Sequence, residues 1–249
     1  MLPVTLGYWS AARAPRHSLT LALPLLLLYE ALAFALSREQ IGAVRNGADV
    51  VLKSLFVGLG GRYGVTIFGV LLFGAGAFLV IRDVRRKGGI RIGVLGLMLA
   101  EATGWALILG GLVSALTTLI LSGRLAVPLQ TADGPMGSFD LPTQLMISLG
   151  AGLYEELVFR VLLVSALAWG ARSVLGWRPL PAGILAAVAG ALVFSAFHYL
   201  GDYADTFTLP SFTFRAIAGL VFSALYLVRG FGIVAWTHAL YDVFLALAG

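Results

Sequence analysis

The sequence predicts an all-α polytopic transmembrane helix bundle of about seven spans, within a range of six to eight. Three observations carry this. Hydrophobic residues make up 59% of the 249-residue chain and charged residues only 12%, where a soluble domain carries about 25% charged residues. Mean hydropathy is +0.95. The apolar residues also fall into runs that match the roughly 20 residues needed to cross a hydrocarbon core. Seventeen basic and twelve acidic residues cannot coat a soluble body of this size, so a water-soluble globule is excluded, and the apolar excess excludes a disordered chain.

Taken in order, the expected spans are Ser18–Leu36, Val65–Ile81, Ile92–Leu121, Pro142–Trp169, Pro181–Tyr199, Phe212–Val228 and Phe231–Ala248. The third and fourth are long enough to tilt, bend or project beyond the bilayer. Between the first two, Arg38–Arg62 mixes Val50, Val51, Leu55 and Phe56 with Asn46, Asp49 and Lys53, a pattern that suits a helix lying at the interface. Gly123–Asp140, rich in glycine, proline and polar residues, is a second surface segment. No run has the small-residue cleavage site of a signal peptide. Residues 1–249 therefore read as a single membrane domain, with N-terminal helices and interfacial segments over 1–140 and the chemistry over 141–249.

The net charge of +5 invites a nucleic-acid reading, but the basic residues sit in short loops between apolar runs, where they act as topology anchors; no nucleic acid is expected as a partner. With the N-terminus inside, inner segments carry Arg13, Arg16, Arg82, Arg85, Arg86, Lys87, Arg91, Arg172, Arg178 and Arg229. Outer segments carry Arg38, Arg45, Lys53, Arg62, Arg124 and Arg215. The excess places the N-terminus inside, unless an eighth embedded segment over residues 40–63 reverses the parity. An integral protein of a bacterial inner membrane is expected. The absence of cysteine excludes disulfides, thiolate metal sites and a cysteine nucleophile.

Against this background six ionisable residues in the last hundred stand out: Glu155, Glu156, Arg160, His198, His238 and Asp242. Each costs about 2.5–3.5 kcal/mol at mid-bilayer, so they are expected to converge on a shared polar pocket rather than to face lipid. Glu156 and Arg160 are four apart, in the favourable order for a helical ion pair. Glu155 is rotated by about 100° from Glu156, which leaves it free to face a cavity as a general base. Gly152, three residues earlier, is expected to leave room on that face for water or a substrate backbone. Phe194 and His198 are four apart, and so are His238 and Asp242; Asp242 either fixes the tautomer of His238 or lines the pocket itself. A lone intramembrane histidine is more often a helix–helix contact than a catalyst; it is the combination that points to hydrolysis.

Three stretches, Glu155-Glu156-Leu157-Val158-Phe159-Arg160, Phe194-Ser195-Ala196-Phe197-His198 and His238-Ala239-Leu240-Tyr241-Asp242, occur in order on successive apolar elements. In them the sequence resembles the CPBP family of intramembrane proteases, which includes type II CAAX prenyl endopeptidases and bacterial Abi proteins. The resemblance covers roughly residues 141–249, and the first 140 match only as generic membrane helices. It implies an intramembrane endopeptidase in which Glu155 activates the attacking water and His198 assists. Glu156 and Arg160 would hold the helix in register, while His238 and Asp242 would stabilise the oxyanion. The last position is often asparagine in the family, and an aspartate there would repel an oxyanion unless it is protonated or only orients His238.

The family is commonly labelled a metalloprotease. If zinc were bound, Glu155, His198, His238 and Asp242 would be its ligands. No H-E-x-x-H pair is present, and a glutamate-activated water needs no metal, so no cofactor is the favoured reading. The expected partners are membrane lipid and a membrane-anchored peptide or protein substrate. Glu30 and Glu101, outside the motifs, are expected to serve structure rather than substrate access, and Tyr199, Tyr203, Phe207 and Phe212 an aromatic rim. The alternatives are a secondary transporter or proton-coupled protein using the same buried groups, and a non-catalytic scaffold or immunity protein.

Overall fold

The computed structural model describes residues 4–36, 44–121, 135–201 and 203–248. Among them every regular element is helical. The chain opens with α1 (Val4–Ala12), α2 (Pro15–Leu36) and α3 (Gly47–Gly60), then turns through a short 3₁₀ segment, Gly61–Tyr63, into α4 (Gly64–Lys87) and α5 (Ile92–Ile120). A single helical column follows, built from α6 (Leu141–Gly150), two π-wound stretches, Ala151–Glu155 and Leu157–Val164, and α7 (Ser165–Ser173). It is followed by α8 (Pro179–Phe197), α9 (Leu209–Arg229) and α10 (Phe231–Ala248).

Local chemistry sets the ends. Asn46, Asp140 and Thr208 cap α3, α6 and α9 by accepting backbone N–H groups of Ala48, Thr143 and Ser211. Gly88 and Gly230, at φ 89° and 87°, terminate α4 and α9 in a conformation that side-chain-bearing residues avoid.

Among the described residues six stretches are long and apolar enough to cross a membrane: Pro15–Leu36, Gly47–Lys87, Ile92–Ile120, Pro179–Phe197, Leu209–Arg229 and Phe231–Ala248. The expected run Pro142–Trp169 is also helical, but its π-winding interrupts it where Glu155, Glu156 and Arg160 lie. The outer surface is strongly apolar, with Val70, Leu107, Leu119 and Leu180 all more than 60% exposed, as a lipid-facing surface requires. The chain is an integral membrane protein with a polytopic helical bundle.

At the centre, α10 packs against α2, α5, α6, α9 and the first π-wound stretch. Gly232 brings it against the backbone of Ser18, whose hydroxyl accepts the Gly232 N–H at 2.7 Å, and Trp236 donates to Leu21 O at 2.6 Å. One end of the bundle is tied by charge. Arg16 meets Asp83 at 2.8 Å, Arg229 grips both oxygens of Glu101 at 2.6 Å, and His17 accepts the Arg91 N–H at 3.1 Å. Arg13 lies against Gly230 at the same end.

The stretch Arg38–Arg62, where an interfacial helix is expected, contains α3, which runs on with α4 in the apolar stretch Gly47–Lys87; residues 37–43, Arg124 and most of Gly123–Asp140 lie outside the described residues. Asp49 of α3 accepts the Tyr29 hydroxyl at 2.8 Å, and about two turns further on Phe56 packs on Phe68 with ring centroids 5.3 Å apart. Tyr29 and Phe68 both touch the ring of Tyr154. The helix is therefore strapped across this aromatic group rather than running beside α2. Glu30 is explained by it: Lys53 and the Tyr154 hydroxyl each donate to Glu30 at 2.8 Å, and Arg45 stands 3.3 Å away. Glu101, bonded to Arg229 and to the Tyr8 hydroxyl at 2.6 Å, is structural in the same way.

Candidate active site

The acidic doublet sits where the column changes winding, Glu155 ending one π-wound stretch and Leu157 beginning the next. Such turns replace the i→i−4 bond by a longer loop and recur at functional sites in helices. Here they present the two adjacent carboxylates to different neighbours. Glu155 turns toward the end of α8, with its Oε2 3.9 Å from His198 Nε2. Glu156 turns toward α10, where its Oε1 receives His238 Nδ1 at 2.7 Å and stands 3.1 Å from Arg160 Nη1. Both acids are buried, Glu156 completely and Glu155 to within 7%.

Hydrogen bonding fixes the histidine tautomers. His198 Nδ1 lies 2.9 Å from Phe194 O, which can only accept, so Nδ1 carries the proton. Nε2 is then the ring nitrogen that faces Glu155. His238 donates Nδ1–H to Glu156, which leaves Nε2 facing Asp242 Oδ2 at 3.5 Å, beyond hydrogen-bond reach. Thus the partner that orients His238 is Glu156. Sequence spacing offered Asp242 for that task and kept Glu156 for Arg160 alone; Asp242 instead stands 3.5 Å from the free Nε2.

Aromatic rings close the site. His238 stacks on Phe222 at 4.4 Å, Phe194 meets His198 edge-on at 4.8 Å, and the Arg160 guanidinium lies 4.2 Å over Phe194 and 5.3 Å from Phe222. Phe194, expected only as a motif residue, touches both imidazoles and the arginine. The aromatic rim forms as well, with Tyr199, Phe207 and Phe212 in mutual contact and Tyr203 on Phe139.

One expectation fails. Gly152 does not open space for water or substrate, because a Cβ there would overlap Ala235 O and the backbone and side chain of Ala239. The missing side chain is filled by α10, which brings His238 to Glu156. Gly152→Ala is expected to destabilise the protein by about 1–3 kcal/mol through overpacking, and to depress activity further by displacing His238. Thermal denaturation and cleavage measured on the same purified protein check both.

Sequence reasoning also missed Asn46, whose Nδ2 donates to Glu155 Oε1 at 2.8 Å. Its only sequence signal is an Asx residue immediately before a helix, in a segment that is polar without an obvious reason. His17, likewise unremarked, is held between Ala11 O and the Arg91 N–H and belongs to the scaffold.

His198 and His238 each give Nδ1 to a protein acceptor and leave Nε2 free, an arrangement that metal-binding histidines also adopt; among the described residues no three His, Asp or Glu side chains are grouped to hold a metal ion. What the site offers is a buried carboxylate oxygen without a hydrogen-bond partner, Glu155 Oε2, facing the Nε2 of an imidazole.

No curated protein and no solved structure matches the chain. Residues 137–244 match the family model described as Type II CAAX prenyl endopeptidase Rce1-like. All the motif residues, from Glu155 to Asp242, fall inside that match. Over those residues this integral membrane protein is similar to the Rce1-like, CAAX protease-type family.

Proposed function

We propose that the protein is an intramembrane endopeptidase that hydrolyses a peptide bond of a membrane-anchored substrate with a glutamate-activated water. The observation that carries this reading is the 3.9 Å gap between Glu155 Oε2 and His198 Nε2. Both atoms are acceptors. A water about 2.8 Å from each fits as the apex of a triangle, giving one O–H to the carboxylate and one to the imidazole. Its lone pair then points away from both, toward the carbonyl to be attacked. Glu155 takes the proton as general base, and His198 holds the water and relays a proton to the leaving amine.

His238 supplies the electrophilic side. With Nδ1–H fixed on Glu156, its Nε2 faces the pocket, and as the imidazolium it donates to the oxyanion. Asp242 lies beside that nitrogen as the compensating charge for the imidazolium, so the donor is His238 and not the carboxyl at position 242. Arg160 secures Glu156, and through it the orientation of His238. No step runs through a metal.

An apolar groove of about 1260 Å³ runs along the Leu153, Leu157 and Val161 face of the column, beside α2 and α4, with Arg13 and Arg172 among its lining residues. Glu155, His198, His238 and Asp242 do not line it, so the substrate reading rests on the geometry of the acid and the two imidazoles. The distribution of basic residues supports an N-terminus on the inner side of the membrane, and a bacterial inner membrane is the proposed location.

The test is comparative terminal proteomics of membranes containing the active protein or Glu155→Ala. A precursor that accumulates uncut only with the variant identifies the substrate and its scissile bond. Ion-coupled flux in reconstituted vesicles with no peptide cleaved would overturn the assignment in favour of transport. Stoichiometric zinc in the purified protein, with activity lost on its removal and regained on its return, would overturn the metal-free mechanism alone.

A further inference from the structure

The N-terminal third is not a passive set of anchors. We infer that Asn46, which lies outside the Rce1-like match, is a positioning residue that fixes Glu155 for water activation. The inference rests on the reading of Glu155 as the base.

The amide orientation is set by its second bond. Asn46 Oδ1 accepts the Ala48 N–H at 3.0 Å as the cap of α3, so the nitrogen must be the atom that reaches Glu155. Asn46 is 3% exposed, and its own N–H reaches the Tyr29 hydroxyl at 3.3 Å. That hydroxyl is in turn spent on Asp49, which is bridged by Arg45 at 2.8 Å and Lys53 at 2.7 Å. Asn46 is thus held by two hydrogen bonds before it touches the acid. On the column, Gly150 makes the approach possible, since a Cβ there would lie 2.6 Å from the Tyr29 ring and 2.8 Å from Asn46 Cβ.

Two successive residues of the π-wound turn are therefore held from the N-terminal third, Tyr154 by Glu30 of α2 and Glu155 by Asn46 at the start of α3. The grip is selective in charge. Arg45 and Lys53 discharge onto Glu30 and Asp49, so the donor that arrives at Glu155 is uncharged. A neutral amide restrains Oε1 without cancelling the negative charge that Oε2 needs to take a proton. It also settles which oxygen is the base: Oε1 is occupied, and Oε2 is the one left facing His198.

Asn46→Ser separates positioning from capping, because serine caps a helix about as well as asparagine but cannot reach Glu155 with an N–H. The comparison uses the full-length protein in detergent and the precursor that accumulates with Glu155→Ala. Asn46→Ser and Asn46→Ala are both expected to lose about tenfold to a hundredfold in kcat, the worth of one hydrogen bond to a charged group, with KM unchanged. The thermal midpoint is expected to fall only for Asn46→Ala. Near-normal kcat for Asn46→Ser, with loss confined to Asn46→Ala, would make Asn46 a cap and overturn the inference while leaving Glu155 in place. Absence of any precursor with Glu155→Ala would overturn the peptidase reading and this one with it.

Discussion

Glu155→Gln is expected to lower the cleavage rate by about 10²–10⁴-fold, the range for loss of a general base, while leaving the fold intact. Glutamine has the same shape as glutamate, and its amide oxygen can still accept the Asn46 N–H now given to Oε1. What changes is the atom opposite His198. An NH₂ group there donates to Nε2 instead of accepting a proton from water, so the water loses both its base and its seat. Stability should hold or improve, since an uncharged side chain removes a buried anion whose Oε2 has no hydrogen-bond partner. Single-turnover cleavage of the accumulated precursor, with a melting curve on the same preparation, reads both quantities. Undiminished turnover by a folded Glu155→Gln protein would remove this residue from the mechanism. His198→Ala should resemble it in direction, with the carboxylate still present and the water held on one side only.

Arg160→Leu carries the largest expected effect on stability, a loss of about 3–5 kcal/mol. Arg160 is 1% exposed and Glu156 is fully buried, and a single oxygen, Glu156 Oε1, serves both Arg160 and His238. Removing the guanidinium leaves a buried carboxylate with the imidazole as its remaining partner and strips the cation from the faces of Phe194 and Phe222. A double change, Glu156→Leu with Arg160→Leu, removes both charges and should regain much of the stability, because an apolar pair of similar volume replaces a buried ion pair at little net loss. Activity should not return, for His238 then lacks the acceptor at Nδ1. Stability restored without turnover is the expected signature; a double variant no more stable than Arg160→Leu alone would show that the pair is not the coupled unit described.

Much of the bundle was legible because insertion into lipid enforces simple rules. Run length marked out each long helix from α2 to α10, and the energetic penalty on buried charge singled out Glu155, Glu156, Arg160, His198, His238 and Asp242. Helical spacing then paired Glu156 with Arg160 and put His238 near Asp242. The misreadings share one cause: spacing along a helix says which residues share a face, and not what arrives at that face from elsewhere. Glu156 reaches His238, 82 positions away, and Asn46 reaches Glu155 across 109. Gly152 was read as vacancy when it is the imprint of α10. The polar residues of α3 looked like an interfacial face, yet Arg45, Asp49 and Lys53 form a closed set with Glu30 and Tyr29.

The winding of the central column makes its length unusually unforgiving. Each π-turn accommodates an additional residue, and everything beyond such a residue is rotated by roughly 100° from where a regular α-helix would place it. Deleting a single amino acid between Ala151 and Val164 would let the backbone relax into ordinary α-helical hydrogen bonding and would swing α7 out of phase with α6. Neighbouring homologous chains that tolerate many substitutions along this stretch should therefore tolerate almost no insertions or deletions within it.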